Sequence, residues 1–161
     1  MAVDINLLHP TLKKAYENAK AAYIAKHPDL PRPILIFTHR ADAVQAAFFA
    51  QGRQTLAAVN ALRKAAGLYL LNARENGRKV TNAKPGQSPH NFLPALAFDV
   101  AFTPNGGKTI DWSEPHFHRF APFVLQYPGL EWGGAWKTFV DLPHFQLRLW
   151  KNYAAPLPAH P

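Results

Sequence analysis

Apolar residues recur at three- and four-residue spacing early in the chain. Leu12, Tyr16, Ala19 and Tyr23 form one stripe, and Lys13, Lys14, Lys20 and Lys26 fall on the wetter sides. That periodicity predicts an amphipathic helix over residues 10–26. Pro10 suits its first position, and Pro28, Pro31 and Pro33 end it. Ile34-Leu35-Ile36-Phe37 is a short β-prone run and predicts a buried strand. Asp42 is placed to cap a helix over Ala43–Ala50, closed by Gly52. A further helix is predicted from about Thr55 to Ala66, with Leu56, Val59 and Leu62 as its stripe and Gly67 as its stop. Residues 72–89 are rich in turn signals. Ala95 to Phe102 alternates towards a strand, and Asn105-Gly106 after it is a hairpin signal. The aromatic-rich segment 112–127 predicts a helix, Gly129–Gly134 a loop and Phe145–Trp150 a last strand. Pro156–Pro161 reads as a disordered or draped tail. Helices in the first half and short strands in the second predict an α+β fold in a single domain over residues 1–155.

Composition narrows the function classes. The 161 residues are 48% hydrophobic and only 17% charged, which excludes an intrinsically disordered chain. There is no cysteine, so a disulfide scaffold, a thiol nucleophile and any thiolate metal site are excluded. A metal must be held by His, Asp or Glu, and eight histidines are available. No apolar run is long enough for a membrane span, and the N-terminus has no basic region followed by an apolar stretch. The formal charge of +8 resides entirely in residues 1–89, which hold 13 basic and 5 acidic side chains. A basic half suits an anionic wall or outer-membrane surface, and equally describes solvated helix faces. No helix-turn-helix, zinc-finger or aromatic RNA-binding signature is present, so specific nucleic-acid binding is not expected.

Two short segments carry candidate chemistry. Ser88-Pro89-His90 is followed by Ala97-Phe98-Asp99, and Asp141-Leu142-Pro143-His144-Phe145 comes later. A catalytic zinc site takes three protein ligands and leaves a fourth position for water. His90, His144 and Asp99 could supply those ligands, with Asp141 near enough to act as general base. By spacing alone each has a plainer reading: a surface histidine, a strand-end cap at Asp99, a turn former at Asp141. His116 and His118 form a His-x-His pair, expected to face solvent or a substrate cleft.

The order of motifs resembles a known family. Val80–Phe92 with Ala97-Phe98-Asp99-Val100 is similar to the zinc-binding segment of VanY-type (M15) zinc peptidases, whose pattern is Ser-x-His, then Ala-x-Asp. Trp132-Gly133-Gly134-Ala135-Trp136, followed by Asp141 and His144-Phe145, resembles the second family signature. Thr38-His39-Arg40, Gln45 and Gln51-Gly52-Arg53 resemble a third. The family connection between His and Asp is shorter and contains a Gly. Here eight residues, Leu93-Pro94 among them, separate His90 from Asp99 and predict a longer turn.

The resemblance spans about residues 34–148 and implies a Hedgehog/DD-peptidase-like fold, with helices packed on a small, mainly antiparallel sheet. It implies Zn²⁺ held by His90, Asp99 and His144, with Asp141 and Arg40 as catalytic residues. Ser88, Gln45 and Trp132 are expected on the substrate side, Trp132 and Trp136 chiefly as packing for the loop before Asp141. The implied activity is a phage or prophage endolysin cleaving the L-Ala–D-Glu bond of peptidoglycan. Such an enzyme would be a monomer, made in the host cytoplasm without a signal peptide and acting at the cell wall after release. The same chemistry would serve a D-Ala-D-Ala carboxypeptidase or dipeptidase, and the same fold a non-catalytic wall-binding module.

Overall fold

The structure is a computed structural model and describes residues 3–154. The expected tail at 156–161 lies outside the described residues. The described chain divides into two compact units, residues 3–39 with 93–154, and residues 40–92.

The first unit is an antiparallel four-stranded sheet with two helices. Helix α1 is Pro10–Lys26, with Pro10 at its first position and the His9 imidazole capping Thr11 N–H. Strand β1 is Arg32–Phe37 and β2 is Ala97–Thr103. Helix α4 (Glu114–Leu125) follows, then β3 (Leu130–Trp132) and β4 (His144–Leu147), giving the sheet order β1-β2-β4-β3. The register pairs Phe98 with Phe145 and Asp99 with His144 across β2 and β4, and Glu131 with Gln146 across β3 and β4.

Because side chains alternate across a strand, that register sorts the sheet into two chemically different faces. Phe98, Phe102, Phe145 and Trp132 make one, packed with the aromatic residues of the helices. Tyr16 meets Phe98 edge-on at 5.6 Å, Tyr23 lies 5.9 Å from Phe102, and Phe120 of α4 sits 5.9 Å from Phe145. Fully burying side chains of this size contributes about 1.5–3 kcal/mol each. Asp99, His144, Gln146 and Glu131 share the other face.

The second unit holds α2 (Asp42–Ala50) and α3 (Leu56–Ala65), followed by loops and a short 3₁₀ turn at Pro89–Asn91. Ala50, Val59 and Leu71 form its small core, with Leu56 packed against it. Thr55 caps α3 through its hydroxyl, which accepts from Ala58 N–H. Gly52 is required at its position: its φ is +73°, and a Cβ there would lie 2.5 Å from the Arg78 backbone.

Several expectations need correction. Asp42 is the first residue of α2, and the cap position falls on Ala41, whose side chain has nothing to donate or accept. β2 is buried at all seven positions, so its alternation is one of chemistry, with no exposed face. Asn105-Gly106 does not turn a full hairpin; beyond the turn, among the described residues, Phe102 and Asp111 form an isolated bridge. The glycine-rich stretch 129–134 contains a strand, because Leu130 and Trp132 find apolar partners in Leu147 and Phe145. The last strand starts at His144 and ends at Leu147, and Trp150–Asn152 turns as a 3₁₀ helix.

Candidate active site

Asp99 and His144 are brought together by strand pairing alone. As direct cross-strand partners they share a face, and His144 Nδ1 lies 3.0 Å from Asp99 Oδ1, both side chains buried. On its other side, His144 Nε2 lies 2.8 Å from Gln146 Oε1. Burial by itself lowers the His144 pKa, but the hydrogen bond and charge of Asp99, with the charge of Asp141 and the Gln146 contact, outweigh it and raise the net value.

His90 is set by its own short turn. Ser88 caps the 3₁₀ turn with its hydroxyl accepting from His90 N–H at 3.3 Å, and Asn91 Oδ1 accepts in return from Ser88 N–H at 3.1 Å. Asn91 Nδ2 donates to Arg40 C=O, and Arg40 N–H donates to His90 C=O at 2.8 Å. Ser-x-His spacing is thus a capping geometry: Ser88 fixes the backbone from which His90 projects.

Among the described residues, His90, Asp99 and His144 are a group whose ligand atoms all lie within 4.8 Å of one another, all three buried. A tetrahedral zinc ion separates its ligand atoms by roughly 3.3–3.5 Å, given bonds near 2.0–2.2 Å. Two imidazoles and one carboxylate, without thiolate, leave a fourth position for water. The donor set fits a divalent metal ion.

Asp141 is half-buried, and its backbone is tied at both ends of the peptide unit. Its N–H donates to Gly133 C=O at 3.0 Å, and its C=O accepts from His144 N–H at 3.2 Å. A Cβ on Gly133 would meet the Asp141 carbonyl oxygen at 2.5 Å, and one on Gly134 would meet the Trp132 ring at 2.1 Å. Trp132 is buried, stacks on Phe145 and donates its indole N–H to Leu142 C=O at 2.7 Å. The Trp-Gly-Gly run therefore closes the loop that carries Asp141. Trp136 packs its ring 5.2 Å from the His144 ring.

Arg40 and Gln45 are both buried. Arg40 Nη1 donates to Gln45 Oε1 at 3.1 Å and its guanidinium lies over the Phe48 ring. Gln45 Nε2 donates to Ala83 C=O at 2.8 Å. Arg53 grips the same loop, donating to Thr81 C=O and Asn82 Oδ1.

His116 departs from its expected exposure. It is buried beside Phe102, 3.0 Å from Asp111 Oδ2, because α4 turns that side of the helix onto the sheet. Hydrogen bonds from Ser113 first, then His116, hold the Asp111 carboxyl at about 2. His118 is exposed and pairs with Glu114.

Gln146 and Glu131 were not singled out from the sequence. Gln146 had a signal, since its spacing of two from His144 on a strand puts both on one face. Glu131 had none, because its place beside Gln146 depends on the β3–β4 register.

Comparison with known proteins points the same way. Residues 81–147 match the M15 family model described as D-alanyl-D-alanine carboxypeptidase. The peptidoglycan L-alanyl-D-glutamate endopeptidase CwlK of Bacillus subtilis is 31% identical over 91 residues, covering 50% of this chain and 51% of that protein. The L-alanyl-D-glutamate peptidase of a Listeria phage is 43% identical over 69 residues, covering 42% of this chain and 23% of that protein. The chain thus spans about half or less of the length of these curated relatives. The crystal structure of the Serratia marcescens L-Ala D-Glu endopeptidase ChiX superposes with a TM-score of 0.50 at 22% identity, over 93% of this chain and 88% of that one. It shares the expected α+β architecture.

Proposed function

We propose, from the premise that residues 81–147 belong to the M15 peptidase family, that this chain is a zinc-dependent peptidoglycan peptidase cleaving the L-Ala–D-Glu bond of the stem peptide. The observation that carries the reading is the buried His90–Asp99–His144 cluster inside the family-matched segment. The two curated relatives described above are named for that bond, and one comes from a phage, which supports the endolysin reading.

His90, Asp99 and His144 would hold the ion. When bound, zinc supplies Lewis acidity and lowers the pKa of water from 15.7 towards ~7. Asp141 accepts a proton from the attacking water as the new C–O bond forms. It returns that proton to the amine nitrogen as the C–N bond breaks. Arg40 keeps its charge at any working pH and stabilises the developing oxyanion, a role whose loss typically costs ~10²–10³ in rate. Ser88, Gln45 and Trp132 serve the substrate through the groups they hold: His90, the Arg40 guanidinium and the Asp141 loop. Residues 1–155 work as one monomeric peptidase, and the basic residues before position 90 favour an anionic wall or outer-membrane surface. Among the described residues no helix is long and apolar enough to cross a membrane. We place the protein in the host cytoplasm when made and at the wall after release.

A second reading, D-Ala-D-Ala carboxypeptidase, is favoured by the description of the family model. Digestion of purified Gram-negative peptidoglycan, read by mass spectrometry, separates the two. New L-Ala carboxyl and D-Glu amino ends, lost with EDTA and restored by zinc, are expected. Release of terminal D-Ala would favour the carboxypeptidase, and no metal-dependent product would leave a wall-binding module.

A further inference from the structure

We propose that Glu131, acting through Gln146, selects the tautomer of His144 that can accept a metal ion, making both positioning residues of the metal centre. The inference rests on the zinc reading above. Its basis is a run of three side chains on one face of the sheet: His144 Nε2 lies 2.8 Å from Gln146 Oε1, and Gln146 Nε2 donates to Glu131 Oε1.

The direction of the relay follows from what each group can do. An ionised carboxylate only accepts. A glutamine amide has one donating and one accepting end, and which is which is settled by its neighbours. Glu131 draws the NH₂ of Gln146 towards itself, and Gln146 must then turn Oε1 to His144. An amide oxygen facing Nε2 requires that nitrogen to carry its proton. Neutral imidazole has a single N–H, so Nδ1 is left with a lone pair.

That lone pair faces Asp99 Oδ1 at 3.0 Å. Two acceptors so close repel unless a proton or a cation lies with them. Asp99 alone would favour the opposite tautomer, with Nδ1–H donated to its carboxylate and the nitrogen closed to metal. The Glu131–Gln146 pair opposes that outcome. Histidines that ligate metals commonly have the second nitrogen fixed in this way by an outer acceptor. Glu131 is half-buried on β3, at the edge of the sheet, where substitution is tolerated better than in the core.

The test is zinc affinity by chelator competition on the full chain, with long-range ¹⁵N correlation spectra of the zinc-loaded protein. Glu131→Lys places a donor where only an acceptor stood, turns the amide over and asks Nε2 to accept. Its affinity is expected to fall by ~10–100-fold, the usual effect of removing an outer-shell partner. Gln146→Leu is expected to match it. Glu131→Gln loses the charge but keeps an acceptor, and should stay close to wild type. Wild-type spectra should show Nε2–H and a metal-bound Nδ1 on His144. Zinc on Nε2, or wild-type affinity in folded Glu131→Lys and Gln146→Leu proteins, would overturn the proposal and leave the zinc reading intact. A wild-type chain that takes up no zinc would overturn both.

Discussion

Gly133→Ala is the sharpest single perturbation of the Asp141 loop. The added Cβ would stand 2.5 Å from the Asp141 carbonyl oxygen, 3.1 Å from Asp141 Cβ and 3.2 Å from His144 Cβ. Carbon–oxygen contacts settle at roughly 3.3–3.6 Å, so the two backbones must part by about 1 Å. No flexible side chain can absorb this, because Asp141 N–H donates to Gly133 C=O and Asp141 C=O accepts from His144 N–H. The carboxylate moves with its backbone. Misplacing a reacting group by ~1 Å costs about 10²-fold in rate, and overpacking costs about 1–3 kcal/mol of stability. Steady-state hydrolysis of a stem-peptide substrate should show kcat reduced by about that 10²-fold. Zinc content should be retained and the thermal midpoint modestly lowered. An unchanged kcat in a folded, zinc-loaded variant would refute both the positioning argument and the assignment of Asp141 as base.

Other outcomes follow from the same geometry. Asp141→Ala should abolish hydrolysis while elemental analysis still finds zinc, whereas full activity would remove Asp141 from the mechanism. Net, the His144 pKa is raised in the metal-free fold, so this group's stabilisation is fully present below the ordinary histidine value of about 6.5 and is lost as pH rises through the raised folded value. Calorimetry should therefore find the zinc-induced gain in thermal midpoint growing with pH over that window, since the metal must displace the proton. A gain that shrinks with rising pH would contradict the assignment of His144 as a ligand. Phe98 is fully buried and stacked at 5.3 Å on Phe145. Phe98→Ala should cost about 3–5 kcal/mol in urea unfolding, and a change well below that range would show that the sheet–helix core repacks around the gap.

The sheet explains why an apolar core and a polar site can share one short run of sequence. In Ala97-Phe98-Asp99 the aromatic side chain joins the helices and its neighbour turns to the opposite face. Phe145 and His144 divide in the same manner on β4. Each residue of the polar face is anchored by an apolar neighbour one position away, which suits a side chain that must not drift.

Local chemistry was legible in the sequence. The α1 stripe, Pro10 at its start and the proline stop reproduced Pro10–Lys26, because helix periodicity and proline geometry act over a few residues. The motifs Ser88-x-His90, Ala97-x-Asp99 and Asp141-x-x-His144 carried the candidate residues and the family resemblance for the same reason. Tertiary structure decided what depends on pairing between distant segments. Leu130–Trp132 became a strand only because Phe145 and Leu147 lie beside it. His116 went inside only because α4 packs that side onto Phe102. Glu131 gained its place beside Gln146 from a strand register that side-chain alternation constrains only to face, and which the packing of the whole sheet must choose.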